Sequence, residues 1–250
     1  MTLLIDIGNT RIKWTRLEGG QLGHARAAGH AGWEGPDFER VLRAGPGLGR
    51  IIVSSVASAR INEALSRAAR GAGAPLLEFV ATRRRACGVT VAYLEPWRLG
   101  VDRFLAMIAA HDRFSRAVCI VGVGTAMTVD LLDGRGRHRG GAIIPAPPLM
   151  VSSLLDGTSG IRQRAQGGPD GRGPALFGRS TRAAVEQGAR FAAAATVDRA
   201  VHEARVLLGR TPRVVLTGGG ARDLQPLIRA PSLLLPDLVL QGLAVWAAEG

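Results

Sequence analysis

The chain has 250 residues with a formal net charge of +12, and 46% of its residues are hydrophobic. This length and hydrophobic content are sufficient for one large or two modest domains with well-formed cores. No stretch approaches the ~20 apolar residues of a membrane-spanning helix, and Asp6 interrupts the first apolar run, so we expect a soluble protein with neither a signal peptide nor a membrane partner.

The positive charge comes almost wholly from arginine, because Lys13 is the single lysine among 32 basic residues. A basic protein can bind nucleic acid or a membrane surface. Here the arginines are spread along the chain, and the aromatic residues that could stack on single-stranded bases make up only 4%. We therefore expect no nucleic-acid partner, although the charge would suit an anionic small substrate. Cys87 and Cys119 lack metal-ligand spacing, which predicts free thiols in a cytoplasmic protein.

The most patterned segment is LLIDIGNTRIKW at residues 3–14. It predicts a buried strand, a tight turn over Gly8-Asn9-Thr10 and a returning strand. The turn brings Asp6 and Lys13 together beside a flexible glycine. Backbone N–H groups and a lysine suit phosphate oxygens, and an aspartate suits hydrated Mg²⁺, so the segment could hold a polyphosphate with its metal. A hairpin turn without function is the alternative.

Further along the first half, residues 51–56 predict a short buried strand and residues 60–72 a helix with one apolar face. A second helix is predicted over residues 101–114, with Asp102 in its first turn. An acidic residue there can simply complement the helix dipole. That structural role does not account for the surrounding pattern of a tyrosine, a proline and Gly-x-Asp-Arg in AYLEPWRLGVDRF at residues 92–104.

The segment VCIVGVGTAMTVDLLDG at residues 118–134 again has an apolar strand, a glycine-bearing turn and an apolar strand. A shift of 116 residues places Gly124 on Gly8 and Gly122 on Asp6. One such unit at the start of each half predicts two related α/β domains, residues 1–116 and 117–250, with a cleft between them.

The second half contains three further predicted features. Residues 157–178 are rich in Gly, Pro and Arg and predict a mobile loop, which could close over a substrate. Ser180 or Thr181 then caps a long alanine-rich helix that runs to about residue 208. A third strand ends in a glycine turn at residues 217–220, and a short helix is predicted over roughly residues 237–248.

Three strand-ending glycine turns in this order resemble the phosphate, second phosphate and adenosine loops of the acetate and sugar kinase, Hsp70 and actin superfamily. The GxxxxGK[ST] phosphate loop is absent. The Tyr-Pro-Gly-x-Asp-Arg pattern resembles the substrate segment of type III pantothenate kinases. The resemblance covers nearly the whole chain and is carried by DIGNT at 6–10, GTAMTVD at 124–130, GGAIIP at 140–145, GRSTRAAVEQG at 178–188 and TGGGA at 217–221.

The resemblance implies an α/β protein of two ribonuclease H-like domains, with the active site in the cleft between them, that acts as a homodimer. It implies transfer of the ATP γ-phosphate to the primary hydroxyl of pantothenate, the first step of coenzyme A synthesis. Asp102 would be the general base, Asp6 would hold Mg²⁺ through water, and Arg103 would either pair with the pantothenate carboxylate or steady Asp102. The residues implied to bind ATP are Asp6, Ile7, Gly8, Asn9, Thr10, Arg11, Ile12, Lys13 and Thr125. Those implied to bind pantothenate are Tyr93, Gly100, Val101, Asp102, Arg103 and Thr181.

One position departs from the family pattern. Family members commonly carry an aspartate immediately before the second glycine turn, where it binds K⁺ or NH₄⁺, and this chain has Gly122 there. Asp130 is too far along the strand to be assumed a substitute. We therefore expect weak activation by K⁺ or none.

Two other functions stay open. A superfamily kinase for another small alcohol or acid would keep the three glycine turns but would not need Tyr93 or the Gly-x-Asp-Arg motif. A non-catalytic accessory or regulatory homologue could lose its active-site groups. The glycine at position 122 favours that second alternative, whereas the presence of Asp6, Lys13 and Asp102 disfavours it.

Overall fold

The computed structural model describes residues 1–43, 48–73, 76–167, 173 and 175–249. The strands are β1 (Thr2–Ile7), β2 (Arg11–Glu18), β3 (Gln21–Leu22), β4 (Arg26–Gly29), β5 (Arg50–Ser55), β6 (Leu77–Phe79), β7 (Arg85–Ala86), β8 (Val89–Thr90), β9 (Val118–Val123), β10 (Ala126–Leu132), β11 (His138–Pro145), β12 (Arg213–Thr217) and β13 (Ser232–Leu234). The helices are α1 (Gly35–Leu42), α2 (Ala59–Gly71), α3 (Val101–Arg113), α4 (Pro147–Gly157), α5 (Ser159–Ala165), α6 (Thr181–Leu208), α7 (Ala221–Leu224) and α8 (Leu238–Glu249). In the ranges described, no helix has both the length and the hydropathy needed to cross a bilayer.

The chain packs into two compact units. The first contains Met1–Ser115, Gly134–His138 and Asp237–Gly250, and the second contains Arg116–Asp133 and Arg139–Pro236. The predicted domain boundary between residues 116 and 117 stays a prediction. The prediction placed α8 in the second domain, whereas α8 groups here with the first unit. The reason for this grouping is close packing of α8 on α3: a Cβ on Gly242 would overlap the backbone carbonyl of Leu105.

The first unit is built on a sheet with strand order β3-β2-β1-β5-β6, with β4 also paired to β2. β1 is antiparallel to β2 and parallel to β5. One face of this sheet forms a core with α1 and α2 that contains Ile5, Ile12 and Val53. Because side chains alternate along a strand, Asp6 points to the opposite face, where α8 contacts β1 and β5.

The second unit has a sheet with strand order β11-β10-β9-β12-β13. Its core lies between the sheet and α6, and includes Val121, Val129, Ala193 and Leu216. The alanine-rich composition of α6 lets this helix approach the sheet closely. The Ser180 hydroxyl accepts a hydrogen bond from the backbone N–H of Ala183 at 3.1 Å, which confirms the predicted start of the long helix.

The two units begin with the same local structure. In the first, the N–H of Gly8 donates to the carbonyl of Arg11 at 2.9 Å, and in the second the N–H of Gly124 donates to the carbonyl of Ala126, also at 2.9 Å. The first strand of each hairpin also pairs with a parallel strand: β1 pairs with β5, and β9 pairs with β12. These hairpins confirm the predicted internal repeat, although the second turn is one residue shorter.

The prediction of a loop over residues 157–178 is wrong for its first part. Ser159–Ala165 forms α5, and the N–H of Arg162 donates to the carbonyl of Thr158 at 3.0 Å. Ala165 is buried, so this helix of about two turns is stabilised by packing, which its polar composition does not predict. The rest of the predicted loop includes residues 168–172 and 174, which lie outside the described residues.

Candidate active site

Asp6 lies one residue before the end of β1 and faces away from α1 and α2. Its cross-strand neighbours are Lys13 on β2 and Ser54 on β5. The Asp6 Oδ1 and Ser54 Oγ atoms are both buried, and within the described parts of the chain neither has a hydrogen-bond partner of standard geometry, although the Ser54 hydroxyl lies near enough to stabilise the Asp6 carboxylate. A buried carboxylate oxygen without a partner is costly, so this atom is available to a ligand.

The pKa of the Asp6 carboxyl is raised from its ordinary value of 3.8 to about 7. Burial is the largest cause, and the negative charge of Asp102 raises the pKa further, with a smaller contribution in the same direction from Asp237. The Ser54 hydroxyl and the Lys13 ammonium act in the opposite direction. The structure thus brings together the two carboxylates that the sequence analysis selected, within interaction range of each other.

Lys13 makes an ion pair that the sequence analysis missed. Its Nζ donates to Oδ1 of Asp237 at 2.7 Å, with about a quarter and a third of the two side chains exposed. Asp237 immediately precedes α8, and its carbonyl accepts from the N–H of Gln241 at 3.1 Å. An aspartate before an apolar run indicates only a helix start, so no sequence signal would have paired it with a lysine near the N-terminus.

Asp102 is the second residue of α3, and its Oδ1 accepts from the N–H of Arg103 at 2.8 Å. This position at a helix N-terminus favours a carboxylate. Gly100 precedes the helix, and a Cβ there would lie 2.5 Å from the same Oδ1 atom. The glycine in Gly-x-Asp-Arg therefore leaves the space that the Asp102 carboxylate occupies.

Arg103 and Tyr93 contact each other beside Asp102. The buried Arg103 donates from Nη1 to the Tyr93 hydroxyl at 3.2 Å, and its guanidinium carbon lies 5.8 Å from the ring centroid. The Tyr93 ring also stacks on the ring of His138, with their centroids 5.9 Å apart. Arg84, which the sequence analysis passed over, donates from Nη1 to the Tyr93 carbonyl at 2.6 Å and also bonds the Leu94 carbonyl. These contacts hold Tyr93 in one orientation, and Arg103 joins the tyrosine to the Asp102 turn.

The turn between β1 and β2 is held by a hydrogen bond from a buried histidine. The buried His30 has its Nε2 atom 2.7 Å from the Gly8 carbonyl, which requires a proton on that nitrogen. A Cβ on Gly8 would lie 3.3 Å from the Arg11 carbonyl, so the turn has little room for a larger residue. Asn9 and Thr10 at the tip are exposed. The sequence analysis did not identify this support.

In the second unit, the other two glycine turns pack against each other. Gly218 has a positive φ of 93°, and a Cβ on it would overlap the Val123 carbonyl. Gly220 is almost as close, because its Cβ would lie 2.8 Å from a Val123 methyl carbon. Thr125 is exposed at the tip of the turn after β9, and its carbonyl accepts from the N–H of Ala146 at 3.2 Å. The turn after β12 therefore needs glycine at positions 218 and 220 to pack closely on Val123.

Two further predicted positions lie in the second unit. Thr181 is the first residue of α6 and is half-buried. Gly122 faces Thr128 across the β9–β10 pair, and a Cβ at position 122 would lie 2.9 Å from the Thr128 hydroxyl oxygen. A threonine hydroxyl thus borders the position at which the resemblance implied a cation-binding aspartate. Asp130, two residues further along β10, is buried.

The residues around Asp6 suit Mg²⁺ better than a metal bound entirely by protein groups. Among the residues that the structure describes, no three His, Cys, Asp or Glu side chains are grouped to hold a metal ion. Mg²⁺ usually keeps several water molecules and binds through one or two carboxylates together with substrate phosphates. The Oδ1 atom of Asp6, which has no hydrogen-bond partner in the described part of the chain, fits that mode.

The family model for type III pantothenate kinase matches residues 2–203. A type III pantothenate kinase from Nitrosococcus oceani is 37% identical over 260 aligned positions, which cover 100% of this chain and 94% of the relative. Another from Stenotrophomonas maltophilia is 36% identical over 246 positions, covering 98% of this chain and 97% of the relative. These sequence matches extend across both units.

Among solved structures, the activator of 2-hydroxyisocaproyl-CoA dehydratase from Clostridium difficile, with bound ADPNP, is similar with a TM-score of 0.56. The match covers 99% of this chain and 94% of the activator at 16% identity. A likeness at this identity concerns the fold alone. It confirms the predicted fold class of two ribonuclease H-like α/β domains.

Proposed function

Because this chain belongs to the type III pantothenate kinase family, we propose that it transfers the γ-phosphoryl group of ATP to the primary hydroxyl of pantothenate. The product is 4′-phosphopantothenate, and the reaction is the first step of coenzyme A synthesis. The observation that carries the proposal is that the Asp102 carboxylate lies within electrostatic range of the buried Asp6 carboxyl in the first unit and raises its pKa. One carboxylate suits the metal of a nucleotide and the other suits the proton of an acceptor alcohol.

The proposed general base is Asp102. A primary alcohol is a weak nucleophile, so a carboxylate that accepts its proton helps as the new P–O bond forms. The N–H of Arg103 donates to one oxygen of this carboxylate, which orients the group at the start of α3. Most of the acceleration in phosphoryl transfer comes from positioning and charge neutralisation. When bound with ATP, Mg²⁺ supplies part of that neutralisation.

The proposed ATP site contains the turn after β1, and its charged groups have separate tasks. Asp6 would hold the hydrated metal, Lys13 and the backbone N–H groups of Gly8 to Thr10 would face phosphate oxygens, and Thr125 would contact the nucleotide from the second glycine turn. The unpartnered oxygen of Asp6 supports the first assignment. The exposed tip of the turn supports the second, because a ligand can reach it.

Pantothenate would bind through Tyr93 and the residues from Gly100 to Arg103, with Thr181 as a further contact. The fixed position of Tyr93 supports this assignment, since Arg103 and His138 contact its side chain and Arg84 donates to its backbone carbonyl. Arg103 is buried and already bonded to Tyr93, so we assign it to steadying the site and not to direct pairing with the pantothenate carboxylate.

We also propose that the protein is located in the cytoplasm and that it needs little or no monovalent cation.

We further propose that the protein forms a homodimer. The second copy would cover the exposed apolar side chains of Ile143, Leu149 and Leu154, which are 59%, 41% and 40% exposed. Ile143 lies on β11 at the edge of its sheet, and α4, which carries the two leucines, has no buried residue. Light scattering of the wild type and of Leu154→Glu tests this: we expect a dimer and a monomer, and a monomeric wild type would refute it.

The test of function is a coupled ADP-release assay with purified protein, ATP, Mg²⁺ and pantothenate. We expect turnover with pantothenate and far less with other small primary alcohols. Turnover only with another alcohol would identify a different kinase. Nucleotide binding without any turnover would instead favour the accessory homologue.

A further inference from the structure

Asp6 and Lys13 stand opposite each other in the β1–β2 ladder. Residues paired in this way have Cβ atoms about 5 Å apart, so a lysine ammonium easily reaches the carboxylate across from it. In this protein it does not bind there. The ammonium of Lys13 instead lies 2.7 Å from Asp237, and the buried oxygen of Asp6 has no partner among the described residues.

Asp237 is held in place by rigid elements. It adopts a left-handed backbone conformation with φ of 61°, which aspartate and asparagine tolerate better than most residues. The helix that follows packs closely on α3, where the Trp246 and Phe104 rings meet edge to face at 6.3 Å. Trp246 also donates from Nε1 to Oε1 of Glu78 at 2.9 Å. The Asp237 carboxylate is therefore fixed relative to both β1 and the start of α3.

We propose that Asp237 is a positioning residue for phosphoryl transfer, which holds the Lys13 ammonium away from Asp6 so that the Asp6 carboxylate is free to receive the hydrated Mg²⁺ of ATP. This inference rests on the proposed use of ATP and does not depend on which alcohol accepts the phosphoryl group. It assigns a role to a residue beyond the segment that the family model matches.

The physical reason is competition among three carboxylates for one cation. Asp6, Asp102 and Asp237 all act on the same buried site, and Lys13 is the ammonium that acts on Asp6. Without the negative charge of Asp237, the nearest strong acceptor for that ammonium is Asp6 across the ladder. A Lys13–Asp6 pair would cancel the charge that attracts the metal. An ammonium has three donors, so Lys13 can keep its bond to Asp237 while it also contacts a phosphate oxygen.

The pair itself contributes little to folding, because both side chains are partly exposed and exposed ion pairs are weak. A role in stability alone therefore does not explain why the carboxylate occupies this place. A positioning role predicts instead that the effect of Asp237 on nucleotide affinity requires Lys13 and depends on Mg²⁺.

The experiment is calorimetric binding of a non-hydrolysable ATP analogue, without pantothenate, to the full-length wild type, Asp237→Asn, Lys13→Met and the double variant. We expect Asp237→Asn to weaken binding about tenfold in the presence of Mg²⁺ and about twofold or less in its absence. In the Lys13→Met background the same substitution should change affinity less than about twofold, because residues that act as a unit are not additive.

Glu78→Gln is the matched control. Glu78 is also a partly exposed acid in an ion pair, with Arg50 at 2.6 Å, and it also tethers α8. It should leave nucleotide affinity unchanged. Asparagine suits the backbone at position 237, and Asp237→Gly, which permits the same φ, repeats the test if the first variant melts early.

Wild-type affinity in Asp237→Asn, or an equal loss in the Lys13→Met background, would overturn the inference while leaving the pantothenate assignment intact. A wild type that binds the analogue but does not turn over pantothenate would refute only the acceptor, and the expected loss in Asp237→Asn would still support the role of Asp237. Failure of the wild type to bind the analogue at all would refute both.

Discussion

The carboxylates of Asp6 and Asp102 interact, although one lies on the first strand and the other at the start of α3, far apart in the sequence. The negative charge of Asp102 is the largest contribution after burial to the raised pKa of Asp6. Two like charges in a partly buried site are unfavourable in the free protein. The arrangement is reasonable for a site that receives a metal and an acceptor hydroxyl, and it leads to five predictions.

Asp102→Asn should lower kcat by about a hundredfold to ten-thousandfold, the usual contribution of a general base, with pantothenate as acceptor. The amide keeps the hydrogen bond from the Arg103 N–H but cannot accept the alcohol proton. Affinity for the ATP analogue should change little. ADP release and calorimetry measure the two quantities, and equal turnover by variant and wild type would remove Asp102 from this role.

Gly100→Ala should reduce kcat at least about tenfold, because the new methyl group would lie 2.5 Å from Oδ1 of Asp102 and move the carboxylate. Gly188→Ala in α6 is the control, since a Cβ there meets nothing within 4 Å and alanine is the better helix former. Steady-state kinetics of both variants test this. Full activity in Gly100→Ala would show that the carboxylate tolerates displacement.

The affinity for Mg·ATP should fall as the pH decreases through about 7, where the Asp6 carboxyl of the free protein gains a proton. The protonated form cannot attract the hydrated metal, so the direction of the change is fixed by the raised pKa. Calorimetry with the ATP analogue between pH 6 and pH 8.5 measures it. Asp6→Asn should bind weakly with no such pH dependence, and an identical dependence in this variant would assign the titration to another group.

The free energy of unfolding of the free protein should also depend on pH through the Asp6 carboxyl, and this contribution should decrease as the pH rises. Because the folded-state pKa of Asp6 is raised from 3.8 to about 7, the folded protein binds the proton more tightly than the unfolded chain does. The contribution of Asp6 to stability is therefore lost as the pH rises from about 4 to about 7, and it stays lost above. Asp6→Asn should raise the melting temperature at pH 8 and have a smaller effect at pH 5. A lower melting temperature at pH 8 would contradict the raised pKa.

Replacement of K⁺ by Na⁺ at constant ionic strength should change kcat less than about twofold. Gly122 occupies the position where the resemblance implied a cation-binding aspartate, and the neighbouring Thr128 hydroxyl has no negative charge to replace it. Rates in potassium, sodium and choline chloride measure the effect. An absolute requirement for K⁺ would show that another group supplies the site.

Local pattern was sufficient for most elements. The strand–turn–strand units, the Ser180 cap and the long helix after it were predictable because alternation, turn residues and caps act between near neighbours. The loop predicted over residues 157–178 was wrong where α5 forms, since that helix is stabilised by packing of Ala165 and not by its own composition. The packing of α8 with the first unit was equally out of reach, as it depends on the contact between Gly242 and Leu105.

The sequence by itself determined the glycine turns, the Gly-x-Asp-Arg segment and the candidate carboxylates, because each of these is a pattern within a dozen residues. Only the tertiary structure decided that Lys13 pairs with Asp237, that His30 supports Gly8 and that one oxygen of Asp6 is buried with no hydrogen-bond partner among the residues described. The direction of a long side chain depends on which charges and cavities surround it after packing. Those surroundings come from distant parts of the chain, so no local rule contains them.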